Sequence, residues 1–176
     1  VVDTLAYVAD LNGGMHILSI ANPQTPYTVG VHYTPGGPGY IAVEDSYAYI
    51  ADGYSGLRIV DVSDPANPCE VGYLVFPLPA CACYVALAGQ YAYVACWDGG
   101  LRVVDITDPT NPYEVGYFET SNNASTVAVS GMVAYVADMM NGLQIYDFLA
   151  PGILESQVGK IDSWLGLLQN PVHGDY

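Results

Sequence analysis

Apolar residues fall in short blocks along this chain, not in helical stripes. Ala48-Tyr49-Ile50-Ala51 is apolar at every position and Leu57-Arg58-Ile59-Val60-Asp61-Val62 nearly so, with Gly and polar residues between the two. Apolar blocks of about four to eight residues bounded by turn signals read as strands, whereas helices need longer segments. No stretch of about 12 residues keeps a clean 3.6-residue period. The chain is predicted to be all-β.

The pattern repeats. Residues 48–68, AYIADGYSGLRIVDVSDPANP, return at 92–112 as AYVACWDGGLRVVDITDPTNP, and more loosely at 6–26 and from 134. The copies start at Ala6, Ala48, Ala92 and Ala134, spaced by 42, 44 and 42 residues. Gly14, Gly56, Gly100 and Gly142 hold one equivalent position, and Val-Gly pairs recur at 29–30, 71–72, 115–116 and 158–159. The second copy reads as four strands, a to d: Tyr40–Glu44, Tyr47–Ala51, Leu57–Ser63 and Glu70–Val75. Between c and d, the segment 64–68 (DPANP) is a turn, because its prolines lack the N–H that a central strand donates.

A period of 40 to 50 residues suits propeller blades or pairs of helices, and the helical periodicity is missing. A sandwich strand alternates apolar with polar because one face meets water. Strand b here is apolar on both faces in all four copies, so each four-stranded unit needs neighbours on both sides, as blades stacked around an axis have. The reading is a β-propeller of four antiparallel, four-stranded blades (1–38, 39–80, 81–122, 123–161), forming a ring or part of a larger one. By register Val1 matches Val43, so most of the first strand a is absent and the chain reads as a processed product or a piece of a longer protein. Residues 162–176 fall outside the period, with Trp164–Leu168 apolar enough to dock on the first blade or over the ring.

The segments LRIVDVSDPANP (57–68) and LRVVDITDPTNP (101–112) resemble the LVIVD repeat of bacterial and archaeal cell-surface proteins. The first copy departs at Ser19 and Ala21-Asn22, and the last at Leu149-Ala150. The resemblance implies propeller blades and an extracellular, surface-associated protein, and it brings no catalytic signature. Residues 168–172 are also similar to the opening of a C-terminal sorting domain of type IX-secreted proteins.

Charge narrows the partners. Three Lys+Arg stand against 18 Asp+Glu, a formal charge of −15 over 176 residues. Three cations cannot build the basic face that phosphates need, which excludes nucleic acid and an anionic membrane surface. No apolar run approaches the roughly 18 residues of a transmembrane helix, so the chain is expected to be soluble.

Candidate chemistry lies where the copies differ. The Asp that ends strand b recurs as Asp10, Asp52 and Asp138, while the third copy has Cys96 followed by Trp97 and Asp98. In a propeller these turns share one face. The carboxylates either ring the channel mouth, where Ca²⁺ would be the one cofactor to consider, or accept backbone amides of their own Gly-rich turns. Tyr54, Trp97 and Met139 sit in the same turns and suit a protein or carbohydrate partner. Asp61, Asp105 and Asp147 on strand c are expected to be structural. Of four cysteines, Cys83 and Cys96 face each other by hairpin counting around Gly89-Gln90 and are the predicted disulfide, with Cys69 a buried free thiol. Asn123-Ala124-Ser125 is a glycosylation sequon.

No nucleophile, metalloprotease or other catalytic motif accompanies His16, His32 or His173. The sequence therefore points to a secreted or cell-surface, non-catalytic binding or adhesion scaffold, with homo-oligomers among its partners. Two alternatives stand beside it. One is a self-assembling structural subunit of a polymer or composite ring. The other is a glycan-processing enzyme with a carboxylate and aromatic site at the channel mouth.

Overall fold

The computed structural model describes the backbone of residues 1–150 and 153–161 and the side chains of residues 1–147. It contains four antiparallel sheets, one per repeat. Blade 1 holds β1 (Leu5–Asp10), β2 (Gly14–Ser19) and β3 (Tyr27–His32). Blade 2 holds β4 (Tyr40–Glu44), β5 (Tyr47–Ala51), β6 (Leu57–Asp61) and β7 (Cys69–Leu74). Blade 3 holds β8 (Tyr84–Ala88), β9 (Tyr91–Ala95), β10 (Leu101–Asp105) and β11 (Tyr113–Phe118). Blade 4 holds β12 (Ala124–Ser130), β13 (Val133–Asp138), β14 (Leu143–Ala150) and β15 (Ile153–Ile161). Each blade is a meander whose strands pair in chain order. What the sequence suggests for residues 162–176 falls outside the described residues.

The expectation of four strands in every blade needs one correction. Blade 1 has three strands, and only the isolated Val2–Leu5 bridge stands where its strand a ends. Asp3, at φ 50°, turns the chain there as Asp45, at φ 51°, does between β4 and β5. The inner edge of β1 is thus nearly bare, whereas its equivalents β5, β9 and β13 are central strands.

The recurring Val-Gly pair has a mechanical reason. The c–d pairing shifts by one residue at the same place in every blade, between Ile17/Leu18, Ile59/Val60, Val103/Val104 and Ile145/Tyr146. This bulge leaves Val29, Val71 and Val115 outside the ladder, and each packs against a core. The glycine that follows lets the next blade approach. A Cβ on Gly30 would overlap the carbonyl oxygen of Pro65, and one on Gly72 that of Pro109. The D-P-x-N-P turn of one blade therefore lies on strand d of the blade before it. Asp64 shapes this turn by accepting from the Ala66 amide (3.1 Å) and the Asn67 side chain (2.8 Å), and Asp108 accepts from Thr110 in the same way.

Among the described residues there are three apolar cores, each between successive blades. The first packs Met15 and Ile17 of blade 1 against Ala48, Ile50, Val60 and Val62 of blade 2. The second packs Tyr49, Leu57 and Ile59 against Val85, Val94 and Val104. The third packs Tyr93, Leu101 and Val103 against Val127, Val136 and Tyr146. Strand b is apolar on both faces because alternate residues enter different cores. Each fully buried side chain of this size contributes about 1.5–3 kcal/mol.

Candidate functional site

The b–c turns and the d–a connections lie at one end of the blades and are built to one plan. In blade 2 the Asp52 amide donates to the Gly56 carbonyl (2.8 Å), and the Ser55 amide donates to the Asp52 carbonyl (3.0 Å). The Cys96 and Asp138 amides likewise donate to Gly100 and Gly142 (both 2.8 Å). Gly56, at φ 82°, has to be glycine on two counts: its backbone is left-handed, and a Cβ would overlap the Leu74 carbonyl oxygen. The turn is fixed to the next blade as well. Gly53 exchanges two backbone hydrogen bonds with Ala82 (2.9 Å each), and Trp97 does so with Ala124 (3.1 Å each).

Asp52 is fully buried and accepts from the connection that enters its own blade. The Thr34 hydroxyl donates to Oδ1 (2.7 Å) and the Gly36 amide to Oδ2 (2.9 Å). Arg58 Nε lies 3.8 Å from Oδ2, its Nη1 donates to Glu70 (3.4 Å), and its guanidinium sits 4.7 Å over the Tyr73 ring. Asp138 repeats the arrangement in part: it is fully buried, and its Oδ1 accepts from the Asn122 amide (3.1 Å). In blade 3 the carboxylate is replaced by Cys96 and the connection is correspondingly apolar, so Phe76 and Ala80 share its core. Arg102, released from any such carboxylate, donates through Nε to the Gly99 carbonyl (3.0 Å) and through Nη1 to Glu114 (3.4 Å). The strand-b Asp is a latch between blades; its acceptor oxygens serve the incoming connection and not, as one expectation had it, its own turn. Asp10 does bond its own turn, through the Asn12 amide (3.0 Å), and stays exposed with His16 at 3.7 Å.

The remaining candidates are placed on the surface. Tyr54, Trp97, Asp98, Met139 and its neighbour Met140 are all exposed. Trp97 (φ 42°) and Met139 (φ 31°) occupy the position that Gly53 (φ 59°) fills in blade 2. Left-handed backbone costs a side chain about 1–2 kcal/mol, so two large apolar residues are held exposed at a local energetic cost. Leu11, Tyr33 and Leu78 add exposed apolar surface at the same end. Sequence reasoning passed over Tyr33 and Leu78 because the connections vary in length and carry no repeat signal, and over Leu11 although it holds the position of Trp97 and Met139 in the b–c turn of blade 1. Tyr40 and Tyr84, at the starts of neighbouring strands a, stack with centroids 3.8 Å apart, and the bond from Tyr40, then burial, push the Tyr84 hydroxyl up to about 12.

The predicted Cys83–Cys96 disulfide is absent, and all four thiols are free. Regular pairing of β8 with β9 ends at Tyr84–Ala95 and then slips, with the Cys83 amide donating to the Ala95 carbonyl (2.9 Å). The slip turns Cys83 toward blade 4, where its Sγ lies 3.4 Å from the Ala124 carbonyl oxygen, while Cys96 lies in the core between blades 2 and 3. Burial pushes the Cys83 thiol up to about 11 and the Cys96 thiol well above its usual value. Cys69 is exposed, not buried. Among the described residues no group of three His, Cys, Asp or Glu side chains is placed to hold a metal ion. Asp61 and Asp105 have the structural role expected of them, accepting from the Ser63 amide (2.8 Å) and the Thr107 amide (2.9 Å).

The chain belongs to the LVIVD repeat family, whose repeat matches residues 1–34, 35–74, 80–120 and 121–151. No curated protein matches it. Among solved structures it is similar to the computationally designed Ika8 protein (TM-score 0.72, 9% identity, 93% of this chain and 48% of that one). It is also similar to the computationally designed Ika4 protein (TM-score 0.69, 8% identity, 84% and 88%). A third likeness is to a putative 6-phosphogluconolactonase from Bacteroides fragilis NCTC 9343 (TM-score 0.74, 19% identity, 90% and 52%). The chain thus spans about half the length of the first and third of these. At such identities the likeness is one of fold, and the protein is an LVIVD-repeat β-propeller.

Proposed function

We propose that this protein is a secreted or cell-surface scaffold that binds a protein or carbohydrate partner, without catalysis, on the face formed by its b–c turns. The observation that carries the reading is the pair Trp97 and Met139, exposed on left-handed backbone where the same turn of blade 2 has glycine. A turn needed only to connect strands would keep the glycine. Tyr54 and Met140 extend the apolar surface, and Asp98 adds an exposed carboxylate. Flat aromatic and flexible thioether side chains suit the faces of sugar rings and protein hot spots. The extracellular setting is inferred from the resemblance of LRIVDVSDPANP and LRVVDITDPTNP to repeats of cell-surface proteins. The glycan-processing alternative needs two reachable carboxylates, and the burial of Asp52 and Asp138 weighs against it.

The test is a glycan array and a screen of extracellular protein extracts, probed with the wild-type chain and with Trp97→Ala and Tyr54→Ala. The expected result is a hit that weakens at least tenfold in either variant while the unfolding midpoint stays within a few degrees. A partner bound equally well by both variants would place the binding surface elsewhere.

A further inference from the structure

Each blade has a face turned toward the next blade in the chain and a face turned toward the one before. The inner strands stand side by side in the order β1, β4, β8, β12. Four blades arranged this way make three cores, and among the described residues no core joins blade 4 to blade 1. The two end faces are consequently bare at positions that are buried in the other blades. Val8 is 41% exposed, while its equivalents Ile50, Val94 and Val136 are all at 0%. Tyr135 is 37% exposed, against 4% for Tyr49 and 1% for Tyr93. Leu143 and Ile145 are part-exposed where Leu57, Ile59, Leu101 and Val103 are at 0%.

The polar fittings of the junction are unused at the same places. Asp10 occupies the latch position but is exposed and accepts only from the Asn12 amide of its own turn among the described residues. The turn 22–26 (NPQTP) is exposed throughout, whereas Pro65 and Pro109 lie against the strand-d glycines of the blades before them. A shallow depression lined by Val8, Asp10, Leu11, Asn12, His16 and Leu18 marks the bare face of blade 1.

We propose that a second copy of this chain covers these faces, head to tail: blade 4 of one copy packs on blade 1 of the other, and the reverse at the second junction. The occupant follows from continuity with the interfaces inside the chain. Because the blades are repeats, the outgoing face of blade 4 presents Tyr135, Leu143 and Ile145 where blades 2 and 3 present the residues that fit an Ala-x-Val/Ile face. Blade 1 offers that face as Ala6 and Val8. Two copies joined at both ends close a ring of eight repeats. The two faces differ from each other, so the contact is heterologous at each junction and closes by rotation. This assembly is independent of what the turn face binds.

The experiment is light scattering on the purified 176-residue chain and on Val8→Asp and Tyr135→Asp. The wild-type chain is expected at twice its 18.7 kDa mass. Each variant is expected at the single-chain mass. Mixing the two variants restores a species of double mass, because Val8→Asp keeps an intact blade 4 face and Tyr135→Asp an intact blade 1 face. Leu18→Glu and Ala128→Glu provide a second such pair should either first variant fail to fold. A wild-type chain at single mass would overturn the proposal, whether it is closed on itself or covered by its own C-terminal residues. So would a dimer that survives every one of these substitutions.

Discussion

Replacing Asp52 separates a latch from a ligand. The side chain is fully buried and accepts the Thr34 hydroxyl at 2.7 Å and the Gly36 amide at 2.9 Å. Its charge also faces Arg58, whose side chain is 11% exposed and whose Nε is 3.8 Å away. Asp52→Ala removes two hydrogen bonds to a charged group, each contributing about 1.5–3 kcal/mol. It also leaves Arg58 with Glu70 as its one carboxylate, and breaking a buried pair costs about 3–5 kcal/mol. These contributions overlap because the same oxygens serve both, so the expected loss is about 3–5 kcal/mol in all, a large share of an ordinary domain's 5–15 kcal/mol. Asp52→Asn retains one acceptor oxygen and is expected to lose about 1–3 kcal/mol. The assay is urea unfolding followed by tryptophan fluorescence and far-UV circular dichroism, with Asp98→Ala as an exposed control expected within about 0.5 kcal/mol of wild type. A loss below about 1 kcal/mol for Asp52→Ala, or loss of partner binding with stability intact, would refute the latch and return the carboxylate to the ligand face.

Three further outcomes are expected. Gly72→Ala pushes a Cβ into the Pro109 carbonyl oxygen and is expected to cost about 1–3 kcal/mol in the same urea assay. Gly89→Ala has open space around its Cβ and pays only for its left-handed φ of 57°, about 1 kcal/mol, so a larger loss at Gly89 would contradict the interlock. Met139→Gly, at φ 31° with an exposed side chain, is expected to raise stability by about 0.5–1 kcal/mol while weakening partner binding; a loss of stability would show that the side chain is structural. Four carboxyls have folded-state values below their ordinary ones: the Ser63 hydroxyl and amide lower Asp61, Asn67 and the Ala66 amide lower Asp64, and Thr110 lowers Asp108. Burial works against Asp105, but Thr107 and Tyr113 outweigh it. A depressed folded value stabilises above the unfolded pKa near 3.8 and is lost as pH falls through the folded one. The melting temperature is therefore expected to hold from about pH 7 to 5 and drop steeply below about pH 4, with a shallower drop in an Asp105→Asn, Asp108→Asn double variant.

Much of the fold was legible because periodicity reports on burial directly. Strand b is apolar on both faces in every copy, and that alone demands neighbours on both sides. The two-residue turns at Asp45-Ser46 and Gly89-Gln90 then place the a–b ladders in register, as the pairs Glu44–Tyr47 and Ala88–Tyr91 show. What escaped the sequence depends on contacts between repeats. Asp52 looks local, sitting four residues before Gly56, yet its partners are 18 and 16 residues upstream in a connection of irregular length. Cys83 and Cys96 are opposed by counting, but the ladder slips just past Tyr84, and a slip of one residue reverses the face a side chain points to. Tyr33 and Leu78 carried no signal because they belong to connections that differ from copy to copy.

The pattern of variation separates frame from face within one turn. In blades 2 and 3 the first and last residues of the b–c turn are under contact from both sides: a buried Asp or Cys receives the incoming connection, and a left-handed glycine lies against strand d. Those positions barely change. In blades 2 to 4 the second residue has the same left-handed backbone, and at Gly53 there is no such crowding, since a Cβ there would meet nothing closer than 3.5 Å. The frame thus tolerates any side chain there at the backbone cost alone, and the copies use that freedom differently: Gly53, then Trp97, then Met139. A repeat whose anchors are fixed by its neighbours can vary this one position without disturbing a blade junction. The turn face can then diversify from blade to blade while the cores, and the end faces that repeat them, stay complementary.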